Sequence, residues 1–122
     1  MMARIAAAVA LAWTLASGIA VADGNRLLNT CLSAIRFDET KLIGDELGTG
    51  FCLGMMQGVR SLIWFSNTNL PRGHQTCLPS SGISNAQAAK IVVKYLRTHP
   101  DQLPEDEGIL TLMALRRAYP CM

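Results

Sequence analysis

The amino-acid sequence predicts an all-α protein, a small four-helix domain stabilised by two disulfides. Apolar residues recur at helical spacing in four segments, and no stretch of useful length shows the apolar–polar alternation that is typical of a strand. The chain has 122 residues, which is the length of one domain. Its four cysteines, together with an N-terminal export signal, indicate two disulfides.

Residues 1–22 have the composition of a secretory signal peptide. Arg4 supplies an early positive charge, an apolar run follows, and residues 20–22 read AVA, which is an A-x-A cleavage pattern. The apolar run is shorter than the roughly 20 residues that a transmembrane helix needs. We therefore expect cleavage after Ala22, a mature domain over residues 23–122 in the periplasm, and no membrane contact after cleavage.

The first helix is predicted over residues 25–36, where Cys31 interrupts a stripe of apolar side chains at helical spacing. The segment that follows is polar and acidic, and we expect it to hold a turn near residues 37–40. The chain is then predicted to enter a second helix.

The second helix is predicted from about residue 41 or 45 to residue 65 and is rich in glycine. Gly50, Gly54 and Gly58 are spaced four apart, so on a helix they lie within an arc of about 80°. Such a groove of small residues lets another helix pack closely, either one from this chain or one from a second copy. A nucleotide-binding loop is disfavoured because the glycines miss the G-x-G-x-x-G spacing and no strand precedes them.

Trp64 and Phe65 end this helix, and large aromatic side chains at such a position are most often part of the core. Beside a long loop, an exposed Trp64 would instead be an anchor for a binding partner.

The segment from Ser66 to Gly82 is predicted to be a long loop because Asn, Pro, Gly and Ser are dense in it. Loops of this length in compact domains are more often functional than incidental. Cys77 is expected to fix the loop to the rest of the domain. The candidate partner-binding residues are polar side chains of this loop: Asn67, Asn69, Arg72, His74 and Gln75.

The third helix is predicted to begin at Ser84, which has the S-x-x-Q spacing of a capping box with Gln87, and to end before Pro100. Pro104 is predicted to start the fourth helix. Acidic residues in its first turn and basic residues in its last turn complement the helix dipole: Glu105, Asp106, Glu107, Arg116 and Arg117.

The order of the helices suggests a disulfide pairing. If consecutive helices are antiparallel, Cys31 and Cys52 lie in neighbouring helices, while Cys77 and Cys121 follow helices that end on the same side of the domain. The simplest pairs are therefore Cys31–Cys52 and Cys77–Cys121. Four cysteines allow three pairings, and the sequence alone does not exclude the other two.

No set of residues points to catalysis, a cofactor or a metal. His74 and His99 could activate a cysteine nucleophile, but in an exported chain with an even cysteine count disulfides are favoured. Zinc binding needs clustered ligands, which the widely spaced cysteines do not provide. A nearly balanced charge, 11 Lys and Arg against 9 Asp and Glu, does not favour nucleic acid as a partner.

Several short motifs, taken in order, resemble the Rap/Tai family of immunity proteins. These are small periplasmic helical proteins that protect bacteria against peptidoglycan amidases delivered by type VI secretion. The resemblance covers nearly all of residues 23–122, and it departs from the family at Met55-Met56, where Tyr-Ile is common. The motifs are Cys31, Cys52-Leu53-Gly54 with Gly58, Cys77-Leu78-Pro79, Val92-Val93-Lys94-Tyr95-Leu96 with His99-Pro100, and Ala118-Tyr119-Pro120-Cys121.

The resemblance implies a non-enzymatic helical domain with internal disulfides, often a homodimer, that blocks an amidase by occluding its active-site cleft. The resemblance does not identify the residues that make the contact, and from the sequence we infer that residues 66–82 and the neighbouring helix ends are the candidates. The alternative function is that of a periplasmic stress or chaperone-like helical protein with no amidase partner.

Overall fold

The computed structural model describes residues 22–122, and these residues form an all-α domain, as the sequence predicts. No strand occurs among them, only isolated backbone bridges. The predicted signal peptide lies, except for Ala22, outside the described residues. The described helices are α1 (Gly24–Thr40), α2 (Glu46–Ser66), α3 (Asn85–Thr98) and α4 (Glu107–Ala118), with short 3-10 turns at Asn67–Asn69, Arg72–His74 and Pro100–Gln102.

Helix α1 is longer than predicted, and the turn expected near residues 37–40 is wrong. The Asp23 side chain caps the helix by accepting hydrogen bonds from the backbone N–H groups of Asn25 and Arg26. The last helical residue is Thr40, and Lys41 ends the helix with a left-handed φ of 60°. The polar residues before Lys41 remain helical because they lie on the solvent side, where they disturb no core packing.

Helix α2 begins at Glu46, one residue after the later of its two predicted starts, and Asp45 is its N-cap. The carboxylate of Asp45 accepts a hydrogen bond from the backbone N–H of Gly48 at 3.0 Å, which satisfies a donor of the first turn. Its inward face carries Cys52, Met56 and Ile63, each at most 3% exposed.

The predicted capping box of α3 is confirmed, whereas the predicted start of α4 is wrong. The Ser84 hydroxyl accepts from the Gln87 backbone N–H, and the Gln87 side chain accepts from the Ser84 backbone N–H. Helix α4 begins at Glu107 rather than at Pro104, because the Asp106 side chain caps it by accepting from the backbone N–H of Ile109. Residues 104–106 therefore precede the helix.

All four helices contribute to one core, and both predicted disulfides are confirmed. Cys31–Cys52 joins α1 to α2 with a Cα–Cα distance of 5.0 Å, and both residues are fully buried. Cys77–Cys121 joins the α2–α3 connection to the C-terminal residues with a Cα–Cα distance of 5.1 Å. We call Cys31–Cys52 the inner disulfide and Cys77–Cys121 the outer disulfide. The largest fully buried side chains of the core are Leu27, Met56, Leu96, Leu110 and Leu115.

A salt bridge between α1 and α4 crosses the edge of this core. Glu107, which the sequence places in a helix turn as a dipole partner, is only 5% exposed. It accepts two hydrogen bonds from the Arg26 guanidinium, whose carbon lies 4.4 Å from the centre of the Phe51 ring. The hydrogen bond with Glu107 raises the pKa of Arg26 above its ordinary value. The pair orients α1 against α4 and has no part in the surface described next.

Candidate partner-binding surface

One side of α2 is open along most of its length. Gly50, Gly54 and Gly58 are exposed, and a Cβ built on any of them meets no heavy atom within 4 Å. Of the two alternatives for these glycines, packing against another helix of the same chain has no support within residues 22–122, and packing against a second copy stays a prediction. Helix α2 instead packs through the opposite side, which carries Cys52 and Met56.

The open side has apolar residues at both ends. At about 100° per residue, Leu47, Ser61 and Phe65 fall within the same arc as the three glycines. Leu47 is 86% exposed and Phe65 is 71% exposed. We call this strip the glycine face of α2; its members are Leu47, Gly50, Gly54, Gly58, Ser61 and Phe65. None of them carries a charge.

The aromatic residues at the end of α2 do not belong to the core, so that prediction is wrong. Trp64 is 82% exposed, and the neighbouring Leu62 is 58% exposed. The core at this level is filled by Ile63, which faces inward between them. Exposed large apolar side chains in one group are typical of an interaction surface. The exposure of Trp64 agrees with the alternative prediction, in which Trp64 lies beside the loop as an anchor for a binding partner.

The loop that follows α2 is ordered by two of its predicted binding residues. The Asn67 side chain donates to the carbonyl of Thr76 at 2.7 Å and accepts from the Thr76 backbone N–H at 3.1 Å. The Gln75 amide donates to the carbonyls of Asn67 and Leu70. The side chains of Asn67 and Gln75 are therefore used in hydrogen bonds within the loop. Asn69 is more accessible to a partner.

The same loop is fixed to the C-terminal residues. The Cys77 backbone N–H donates to the carbonyl of Tyr119 at 2.8 Å, beside the Cys77–Cys121 disulfide. The Arg72 side chain donates to the Met122 carbonyl at 2.5 Å. His74 remains exposed. The loop is therefore held at both ends while its tip faces solvent.

Replacing Asn67 with alanine should loosen the loop. We expect the free energy of unfolding to fall by about 1–2 kcal/mol, because Thr76 is buried and its backbone groups would lose both partners. Limited proteolysis should cut within residues 66–82 faster than in the wild type. Asn69→Ala is the matched control, since the Asn69 side chain is exposed and makes no hydrogen bond with any other residue of the described range 22–122. Equal protease resistance of the two variants would contradict the role assigned to Asn67.

A groove of about 640 Å³ lies between the second half of α2 and residues 76–82. We call it the α2–loop groove. Trp64 lines it from α2, Leu78 and Pro79 line it from the loop, and Arg60 is the one charged residue among its lining residues. This groove is not among the sites predicted from the sequence. A signal was present, because Arg60 and Trp64 are spaced four apart and therefore lie on the same side of a helix.

A second, smaller cavity of about 290 Å³ lies between α3 and α4. Tyr95 and His99 stack there with ring centres 4.1 Å apart, and the Arg117 guanidinium approaches the His99 ring at 3.3 Å. The other ring nitrogen of His99 lies 2.8 Å from the Tyr95 carbonyl. The predicted place of His99 at a helix end, near carbonyls, is confirmed. The His99 ring therefore interacts with a backbone carbonyl at the C-terminal end of α3.

Two further features concern the described residues alone. No group of His, Cys, Asp or Glu side chains in residues 22–122 is arranged to hold a metal ion. None of the helices in this part of the chain has the length and apolar character required to cross a membrane.

Comparison with known proteins gives one match. No curated protein and no solved structure matches the chain significantly. The model of the Rap1a immunity proteins matches residues 23–121, which is nearly the whole described domain. The chain belongs to the family of Rap1a immunity proteins.

Proposed function

We propose that this protein is a periplasmic immunity protein that binds and inhibits a peptidoglycan amidase effector of type VI secretion. Its family indicates an immunity function against a secreted effector. The observation that carries the proposal is the exposed surface at the end of α2, where Trp64 stands beside a loop fixed by a disulfide. The protein acts by binding and carries out no reaction of its own.

The loop suits an inhibitory role because it is already ordered. Residues 66–82 are closed by Asn67 and Gln75 and held by Cys77, so little conformational entropy is lost when they enter a cleft. The exposed residues of the loop, Asn69, Arg72 and His74, remain the candidates for contact with the amidase. Occlusion of the active-site cleft is the mode of inhibition that we propose.

Export to the periplasm is consistent with the chemistry of the chain. Both disulfides need an oxidising compartment in order to form and persist. The family match begins at residue 23, which directly follows the predicted cleavage site after Ala22.

We also propose that two copies associate through the glycine face of α2. Glycines at Gly50, Gly54 and Gly58 allow two helix backbones to approach closely, and the face carries no charge that association would have to desolvate. The exposed Leu47 and Phe65 at its ends would be covered in such a dimer. The α2–loop groove and the loop tip then remain for the amidase.

The test is inhibition of an amidase by the protein recovered from periplasmic expression of the full chain. A papain-like Cys/His amidase encoded by a neighbouring gene is the enzyme to assay, with release of peptidoglycan stem peptides as the readout. We expect stoichiometric inhibition and a stable complex. No inhibition, combined with suppression of client aggregation at low pH, would support the chaperone alternative and contradict the proposal.

A further inference from the structure

We infer that the α2–loop groove receives the carboxylate side chain of an aspartate or glutamate from the partner protein. The inference rests on the proposed function and gives the partner a specific chemistry. It is carried by a partly buried arginine without a counter-charge and by the apolar walls around that arginine.

Arg60 has no acidic partner in the described part of the chain. None of its nitrogens lies within salt-bridge distance of a carboxylate there, and no acidic side chain lines the groove. Its Nε atom is buried without a hydrogen-bond partner and is closed to an incoming carboxylate. The two Nη groups keep unused donor capacity, because within residues 22–122 only Nη1 makes a hydrogen bond, and together they match a carboxylate in two parallel hydrogen bonds.

The guanidinium is held in position by a neighbouring helix. Its Nη1 atom donates to the Asn85 side chain, whose amide in turn donates to Gln57 at 3.3 Å. Asn85 is the first residue of α3, and the first turn of α3 contains no acidic residue. The positive end of that helix dipole therefore adds to the attraction of Arg60 for an anion.

The walls of the groove favour a protein segment over a small anion. Trp64 lines one side, while Leu78 and Pro79 line the other, so apolar residues next to the acidic one would be covered. Trp64 is 82% exposed, so a small anion bound at Arg60 would leave most of the indole in water, whereas a protein segment would cover it.

Peptide binding tests the inference without an amidase. The probe is the capped tripeptide Ac-Ala-Asp-Ala-NH2, titrated into the isotopically labelled protein from periplasmic expression of the full chain. We expect saturable shifts of the Arg60 Nε–H and Trp64 indole N–H resonances, and binding at least about tenfold tighter than that of the uncharged Ac-Ala-Asn-Ala-NH2. Equal binding of the two peptides, or no movement of either resonance, overturns the inference.

Two matched variants locate the effect. Arg60→Gln should bring binding of the aspartate peptide down to that of the asparagine peptide. Arg97→Gln makes the same charge change at an exposed residue that does not line the groove, and it should leave binding unchanged. Aspartate-peptide binding that survives Arg60→Gln in a variant with a wild-type circular dichroism spectrum overturns the inference.

Inhibition of the amidase separates this inference from the proposed function. Arg60→Gln should raise the inhibition constant at least about tenfold, and Arg97→Gln should not change it. If the wild type inhibits no amidase, the proposed function fails, and the peptide titration still decides the inference. If the wild type and Arg60→Gln inhibit equally, the inference fails while the proposed function stands.

Discussion

Replacing Cys77 and Cys121 with serine is expected to lower the free energy of unfolding by about 4 kcal/mol. The two residues are 44 apart in sequence, and the chain-entropy treatment of a loop of that length gives a stabilisation of this size. Native domains have a free energy of unfolding of about 5–15 kcal/mol, so the loss is a large fraction of the total stability. Urea denaturation followed by circular dichroism measures it.

Replacing Cys31 and Cys52 with alanine provides the matched comparison. Their separation of 21 residues gives about 3 kcal/mol from chain entropy, and loss of two fully buried side chains adds to that cost. The two double variants should therefore be destabilised to a similar degree.

The two disulfides should differ in their effect on inhibition. The outer disulfide fixes residues 66–82, so its loss should weaken amidase inhibition under conditions where the domain remains folded. The inner disulfide lies in the core, away from that loop, and its loss should leave inhibition of the folded fraction unchanged. If both double variants inhibit equally well, fixation of the loop by Cys77 is not required for binding.

The predictions that were confirmed depend on local chemistry. Ser84 and Gln87 are three residues apart, and their reciprocal hydrogen bonds need nothing beyond one helical turn. The observed cysteine pairing is the simplest one for consecutive antiparallel helices, although the sequence left two other pairings open. Such features are encoded within a few residues or in the topology, and the sequence reveals them.

The predictions that were wrong depend on which elements surround a residue. Trp64 has a large aromatic side chain of the kind that is usually buried in a core. Ile63 occupies the inward position instead, and Trp64 is exposed to solvent. Gly54 has the spacing of a helix contact, yet no helix within residues 22–122 covers it. The groove beside Arg60 was missed because its other wall, residues 76–82, comes from a loop whose path the sequence pattern does not specify.

Replacing Gly54 with tryptophan is expected to abolish association of two copies. Gly54 is exposed, and a Cβ at this position would have open space around it among residues 22–122, so a larger side chain can extend into solvent in the monomer. In a dimer formed through the glycine face, the indole would separate the two helices, and the dissociation constant should rise by at least about a hundredfold. Light scattering over a concentration series measures the change.

The alanine substitution at the same position separates association from folding. Glycine is a poor helix former, so Gly54→Ala should raise the free energy of unfolding of the monomer by about 0.5–1 kcal/mol. Its single methyl group should weaken association much less than an indole does. Gly44→Trp is the control, because Gly44 is also exposed with open space around it but lies outside α2.

The result at Gly54 decides what the open side of α2 is for. A wild-type dimer that becomes monomeric with Gly54→Trp, but not with Gly44→Trp, would place a second copy on the glycine face. The glycine face and the α2–loop groove share Ser61 but lie mainly on different sides of α2, and Gly54 does not line the groove, so the monomeric variant should still inhibit the amidase. A variant that remains dimeric, or a wild type that is monomeric, contradicts association through these glycines. Loss of inhibition without a change in mass would instead assign the face to the amidase.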